Sequence, residues 1–346
     1  MYIDDLILKI KETVDTHRLD KPGAYARWIW QTAPDGSTAN ISGSNSIEEG
    51  AARDLGINEY GCADAANILY TIGYFPTDPE ERKSWIEVLQ GLQNPKTGLF
   101  TEFTHHPIHT TAHCAGALEL FDAKPKYPYY DLEKYKEKEN LYALLDGLDW
   151  TNPWPQSHQG AGIYAAFANA GQASREWTEW YFDWFWENAS PITGFWKKGF
   201  AENCEPFKQV GGGFHYFFNH EHAHMPVRYP DKIIDTCLYM YRETGTPSGK
   251  FGRMIGFIEV DWIYSITRSM RQTPHRFEEC KKTLLEFAES YIAFLNSINH
   301  KTNDEFNDLH MLFGTACALA ELQQALPGSF RTERPLKLVL DRRPFI

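Results

Sequence analysis

The strongest constraint in the sequence is a contrast between two kinds of helical segment. Six stretches are apolar or small at nearly every position: GCADAANILYTIG from Gly61, TAHCAGALELF from Thr111, QGAGIYAAFANAG from Gln159, DKIIDTCLYMY from Asp231, EVDWIYSITRSM from Glu259 and LHMLFGTACALAEL from Leu309. A helix with no polar face has to be covered on every side. Glycine and alanine at several of these positions let neighbouring helices approach closely. Other segments are one-sided. Ile3, Leu6, Ile7, Ile10 and Val14 fall at helical spacing, as do Trp177, Trp180, Tyr181, Trp184 and Phe185. Glu133 to Leu148 and Arg276 to Leu295 repeat that pattern, and Asp78 followed by Pro79, Glu80 and Glu81 forms a complete helix-start signal.

Buried helices alternating with amphipathic ones predict an all-α fold, an (α/α)6-like toroid with an inner and an outer ring of helices. Residues 1–346 are read as a single domain, since no linker-like tract interrupts them. Too little chain lies between Glu243 and Ile258 for an outer helix with its two connections, so one hairpin is expected to be incomplete. A formal charge of −12 argues against nucleic acid as a partner, because phosphate binding needs a basic face. The apolar runs fall short of a membrane span, and the N-terminal MYIDDLILKIKETVDTH has acids where a secretory leader needs basic residues. The six cysteines form no C-x-x-C pair, which predicts reduced thiols and a cytoplasmic location. A homo-oligomer stays open.

Each buried segment opens on a polar cluster. Asn58, Glu59, Tyr60 and Asp64 stand at the first; His105, His106, His109 and His113 at the second; Trp154, Gln156, His158 and Gln159 at the third. The fourth is preceded by His220, His222, His224 and Arg228, with Asp231 and Asp235 following; Glu259, Asp261 and Trp262 open the fifth, and Asn307, Asp308 and His310 the sixth. In a toroid the inner helices start on one face, so these clusters converge at one mouth. The aromatic outer stripes read as core, whereas Trp154, between two prolines at the mouth, fits stacking on a ligand and plain packing equally.

The stretch LQNPKTGLFTEFTHHPIHTTAHCAGALELF resembles the outer-helix, glycine-turn, inner-helix repeat of the prenyltransferase and terpene-cyclase toroids. RYPDKIIDTCLYMY and DLHMLFGTACALAEL resemble the segments that carry zinc ligands in protein prenyltransferase β subunits, which implies Asp235, Cys237 and His310 as ligands here. The spacing departs from that family, because EVDWIYSITRSM intervenes, and the D-x-D-D motif of the cyclases is absent. No stoichiometric zinc and no cofactor are therefore expected. The same double ring is shared by six-hairpin glycosidases, uronyl hydrolases and polysaccharide lyases, a likeness of architecture and of acid, histidine and tryptophan composition.

The resulting expectation is a carbohydrate-active enzyme, an exo-acting glycoside hydrolase removing an acidic sugar from short oligosaccharides. Glycoside hydrolysis needs a carboxylic acid and a carboxylate, and Asp64, Asp235, Glu259 and Asp261 are the candidates. Tyr60, His106, His109, His113, Trp154, His158, Gln159, His220, His222, Arg228, Trp262, Asp308 and His310 would bind the substrate. Three alternatives stand beside it: a lyase or epimerase with His113 or His310 as base, a zinc-dependent prenyltransferase-like enzyme, and a non-catalytic binding toroid.

Overall fold

The structure, a computed structural model, describes residues 1–48, 50–244 and 251–346. Its helices are α1 (Asp4–Thr16), α2 (Glu59–Thr71), α3 (Pro79–Gly91), α4 (Pro107–Leu120), α5 (Lys138–Gly147), α6 (Pro153–Gly160), α7 (Gly162–Ala170), α8 (Arg175–Asn188), α9 (Pro206–Ala223), α10 (Pro230–Tyr239), α11 (Ile258–Met270), α12 (Phe277–Ser297), α13 (Leu309–Ala325) and α14 (Val339–Arg342). The described residues contain isolated β-bridges but no strand, so the fold is all-α. None of these helices is long and apolar enough to cross a membrane.

Local chemistry starts the helices where the sequence marks them. Asn58 caps α2 by accepting from the Tyr60 and Gly61 amides, and Asp78 caps α3 by accepting from Glu81. His106 caps α4 with Pro107 at the first turn, and Asp308 caps α13 through the His310 amide. Each cap satisfies amides that the helix itself leaves without acceptors.

Packing follows the contrast between the two helix types. From Tyr60 to Leu69 every residue of α2 is buried, whereas α3 buries only Trp85, Val88 and Leu89. α2 packs on α4, α4 on α7, α6 on α9, α9 on α11, α11 on α13, and α13 on α2. α1, α3 and α12 lie against this set: α1 on α2 and α13, α3 on α2 and α4, α12 on α11 and α13. One hydrophobic cluster runs from Ile3 to Ile346.

The fourth buried helix is α9, not the DKIIDTCLYMY segment. α10 buries Ile233, Ile234, Cys237 and Leu238 on one side and leaves Tyr239 exposed, whereas α9 is buried continuously from Gln209 to His220. Three glycines explain how α9 reaches that position. A Cβ at Gly211 would lie 2.6 Å from Trp154 Cδ2, and one at Gly212 would lie 2.9 Å from the Pro153 carbonyl carbon. α6 and α9 therefore touch almost backbone to backbone. α10 precedes α11 in the chain and packs on it. No helix occurs in the described residues between Thr244 and Ile258; residues 245–250 of that stretch lie outside them.

Gly61 makes a similar close approach, to the backbone that carries Arg27. A Cβ there would sit 2.5 Å from the Ala26 carbonyl carbon and 2.6 Å from the Arg27 nitrogen. Alanine gains about 1 kcal/mol of helix preference over glycine, but overpacking against backbone that cannot rotate away costs about 1–3 kcal/mol. Gly61→Ala should destabilise the protein in urea unfolding, whereas Gly91→Ala, where a Cβ meets nothing within 4 Å, should be neutral or stabilising. A Gly61→Ala midpoint equal to or above wild type would show that the two segments can part.

Candidate active site

Arg27 has no exposed surface and holds four segments together. Its Nε and one terminal nitrogen grip Asp308 at 2.8 and 2.9 Å. It also donates to Thr104 Oγ1 at 2.7 Å and to the Ser42 carbonyl at 2.9 Å. The start of α13, the loop around Ser42 and the strap before α4 are thereby fixed to the segment before α2. The loop reaches the strap closely enough that a Cβ on Gly43 would lie 2.2 Å from the Thr104 oxygen.

Thr104 carries this order to the first imidazole. Its hydroxyl donates to Glu102 at 2.5 Å, so its oxygen is left to accept from Arg27 and from His105 Nδ1, 2.6 Å away. His105 is therefore protonated on Nδ1 and has its lone pair on Nε2. Tyr60 stacks on His105 and His113 with ring centroids 4.5 and 5.0 Å apart, and its hydroxyl meets His109 Nδ1 at 2.5 Å. His215 Nδ1 lies 2.9 Å from the Gly211 carbonyl, which can only accept, so its lone pair too is on Nε2.

Asp64 is fully buried at the centre of a second group. His113 Nε2 donates to its Oδ1 at 2.8 Å, and His310 Nδ1 donates to the same oxygen at 3.2 Å. That contact leaves His310 Nε2 as a lone pair, oriented by a carboxylate behind it.

His105, His109, His158, His215 and His310 line one cavity of about 280 Å³, together with Trp154, Pro155, Phe257, Ile346 and the backbone around Ser42. No aspartate, glutamate, lysine or arginine side chain is among the residues lining it. A larger pocket of about 410 Å³ lies between α1 and residues 300–306; of the histidines it borders, His17 and His300, neither belongs to this cluster.

The walls are uncharged imidazoles. Burial pushes His105, His109, His158 and His310 well below the ordinary imidazole range, aided by neighbouring histidines and, at His105 and His310, by Arg27. His215 and His220 are held down to about 4 by burial, against the opposing pull of a backbone carbonyl. Burial pushes Asp64 upward, opposed by His113, Arg27 and Arg343.

The residues anticipated from the sequence divide three ways. His109, His158, His310 and Trp154 line the cavity, while Tyr60, Asp64, His113 and Asp308 stand behind it as orienting groups. Gln159 is half-buried and absent from the lining, and His106 spends its Nδ1 on capping α4.

The others face elsewhere. His220 stacks on Trp196 at 5.2 Å, His222 meets the Tyr164 hydroxyl at 3.1 Å, and Arg228 donates to the Trp186 carbonyl. His220 and His222 end α9 instead of starting a helix, which turns them away from the cavity. Trp262 is core, donating to the Cys237 carbonyl. Asp235 is half-buried and paired with His275 and Arg276, which outweigh burial and lower its pKa. Glu259 accepts from the Gly252 amide and is pushed up to about 8 by burial; burial, with Glu259 beside it, also pushes Asp261 well above the usual carboxylate range. The ligand set Asp235, Cys237 and His310 is not assembled either: among the described residues these three form no cluster of ligand atoms, Asp235 being paired with His275 and Arg276 and His310 bonded to Asp64.

Reading helix starts missed Arg27, Glu102 and Thr104, which lie in irregular segments, and it missed His215, which sits mid-helix. The run GGGFH was the available signal for His215, since close packing at the glycines aims the next side chain inward. Compared with protein-family models, curated proteins and solved structures, the chain matches none.

An unfolded imidazole titrates near 6.5, but His215 and His220 take up a proton only near 4 in the fold. Between these values the unfolded chain binds protons that the folded chain refuses. The contribution of these two rings is therefore full above about pH 6.5 and is lost as pH drops towards 4, by about 1.4 kcal/mol per unit for each. Burial that raises Glu259 to about 8 acts in the opposite sense over this window, so the test is a difference: the urea midpoint of chelator-treated wild type should lose more with falling pH than that of His220→Gln, and equal pH slopes would mean the ring is open to water.

Proposed function

We propose that the chain is a carbohydrate-active enzyme of the lyase or epimerase class, using histidine as its proton-transfer group on a small acidic sugar. The observation that carries this reading is the pair formed by Asp64 and His310: the carboxylate takes Nδ1–H and leaves Nε2 as a base beside the cavity. An Asp–His contact of this kind fixes the tautomer and stabilises the imidazolium that forms on proton abstraction. The cavity volume of about 280 Å³ suits one sugar-sized ring, and Trp154 offers it an aromatic face.

In elimination, His310 removes the proton from the carbon next to the sugar carboxylate. That electron pair becomes a carbon–carbon double bond, the bond to the departing oxygen breaks, and the oxygen leaves with its electrons and collects a proton. In epimerisation the same proton is removed and one returns to the opposite face. The two-carboxylate hydrolase has less support, because no aspartate or glutamate side chain lines the cavity and Asp235 is engaged in ion pairs. We further infer that the helices form a closed (α/α)6-like toroid, supported by the order of neighbours from α2 through α4, α6–α7, α9, α11 and α13 back to α2. Six free cysteines support a reducing, cytoplasmic setting for such an enzyme, acting on short imported oligosaccharides.

Incubating the protein with uronic-acid oligosaccharides in heavy water tests the reading. Wild type should exchange the proton next to the carboxylate, and ultraviolet absorbance of an unsaturated product separates lyase from epimerase. His310→Gln should abolish exchange, and Asp64→Asn should slow it by roughly 10²–10⁴-fold, the range of general-base catalysis. Sugar release with that proton retained, in folded wild type, would return the acids to the leading role.

A further inference from the structure

We propose that His105, His109 and His158 hold one divalent transition-metal ion, with its open coordination position facing the cavity beside His310. One ring nitrogen from each of the three lies within 4.8 Å of the others, and all three residues are buried. Their ring centroids are 4.3 Å apart for His109 and His158, 4.5 Å for His105 and His109, and 5.6 Å for His105 and His158. Three imidazoles around an ion, with a fourth place left for water or substrate, is the donor set of a catalytic zinc-type site.

The outer partners suit ligation. Metal-bound histidines use their second nitrogen to bond a neighbour that fixes the ring. His105 Nδ1 is held by Thr104, itself anchored by Glu102 and Arg27, which leaves Nε2 for the ion. His109 Nδ1 meets Tyr60; with Tyr60 accepting there, its own proton points to Thr110 Oγ1 at 3.4 Å and Nε2 is again free. His158 has a buried Nδ1 with no protein partner. A second group, Asp64, His113 and His310, also brings its ligand atoms within 4.8 Å. Those three are already joined by hydrogen bonds of 2.8 and 3.2 Å. They form a network that orients His310.

The use of the ion rests on the reading of His310 as base. Removing a proton next to a carboxylate requires the carboxylate charge to be neutralised, and no cationic side chain lines this cavity. The ion would supply that charge: the His105 and His310 rings are 5.0 Å apart, so a carboxylate on the metal presents its neighbouring carbon to His310.

Chelator-treated full-length protein titrated with Zn²⁺ should bind one equivalent per chain, and Co²⁺ should give the visible band of a four- or five-coordinate ion. His105→Ala and His158→Ala should lose the stoichiometric zinc, while His222→Ala, outside the cavity, should keep it. Thr104→Val should weaken zinc binding by roughly 10–100-fold, the usual cost of an outer partner. Should the alanine variants misfold by circular dichroism, zinc-edge X-ray absorption of wild type decides: a shell of three imidazoles is expected, and sulfur ligands or a single imidazole would overturn the site. Failure of wild type to bind zinc or cobalt, or full retention of zinc in both folded variants, would also overturn it. None of these measurements uses substrate, so a protein that binds the ion but exchanges no proton refutes the catalytic reading alone.

Discussion

The interior polar architecture depends on the guanidinium of Arg27. A lone buried cation would be prohibitively costly, but this one meets a bidentate carboxylate, a hydroxyl and a carbonyl, which between them use most of its donors. Its partners come from segments far apart in the chain. Asp308 caps the helix that presents His310, and Thr104 fixes the tautomer of His105. One group thus holds the helix start that presents His310 and, through Thr104, sets the protonation of the neighbouring His105. A lysine could not reproduce this, because its single ammonium lacks the planar fork that grips a carboxylate while bonding two other acceptors.

The all-α fold was legible because burial on every side leaves a mark that periodicity detects. Segments such as GCADAANILYTIG and LHMLFGTACALAEL have no polar face, and their neighbours do. The helix starts were legible for the same local reason: Asn58, Asp78, His106 and Asp308 all cap where the sequence places a capping residue. α9 was harder. Gly211, Gly212 and Gly213 are poor helix formers, and only the approach of Trp154 and Pro153 shows why a helix would accept three glycines. Misplacing that helix moved His220, His222, Arg228 and Asp235 to a mouth they do not reach.

The site was legible in residue type more than in role. His109, His158, His310 and Trp154 follow from their places at helix starts. Arg27, Glu102 and Thr104 do not, since a side chain in an irregular segment carries no periodic signal and its importance comes from partners tens to hundreds of residues away. The acids illustrate the limit best. Asp64 was marked as a candidate catalytic acid, but complete burial makes it a hydrogen-bond partner of His113 and His310 instead of a residue lining the cavity. Glu259 and Asp261 open a helix just as Asp308 does, yet they face packed core, where burial favours the neutral acid.

Neutral walls follow from the same economy of burial. Four histidines packed around Tyr60, with His158 and His215 adjoining them, cannot all be charged within a few ångströms of one another, so the stable interior is a set of neutral rings whose protons are assigned by fixed partners. Such rings are prepared to donate lone pairs and to take up a proton one at a time, but they bring no net charge to a ligand. The nearest cation, Arg27, has its donors committed to Asp308, Thr104 and Ser42. A wall of this kind binds an anion poorly unless positive charge enters with it, whereas it suits an ion that prefers imidazole nitrogen. The absence of fixed cations from the lining and the surplus of oriented imidazole lone pairs are therefore two consequences of one packing arrangement, and both direct the chemistry of the cavity towards nitrogen.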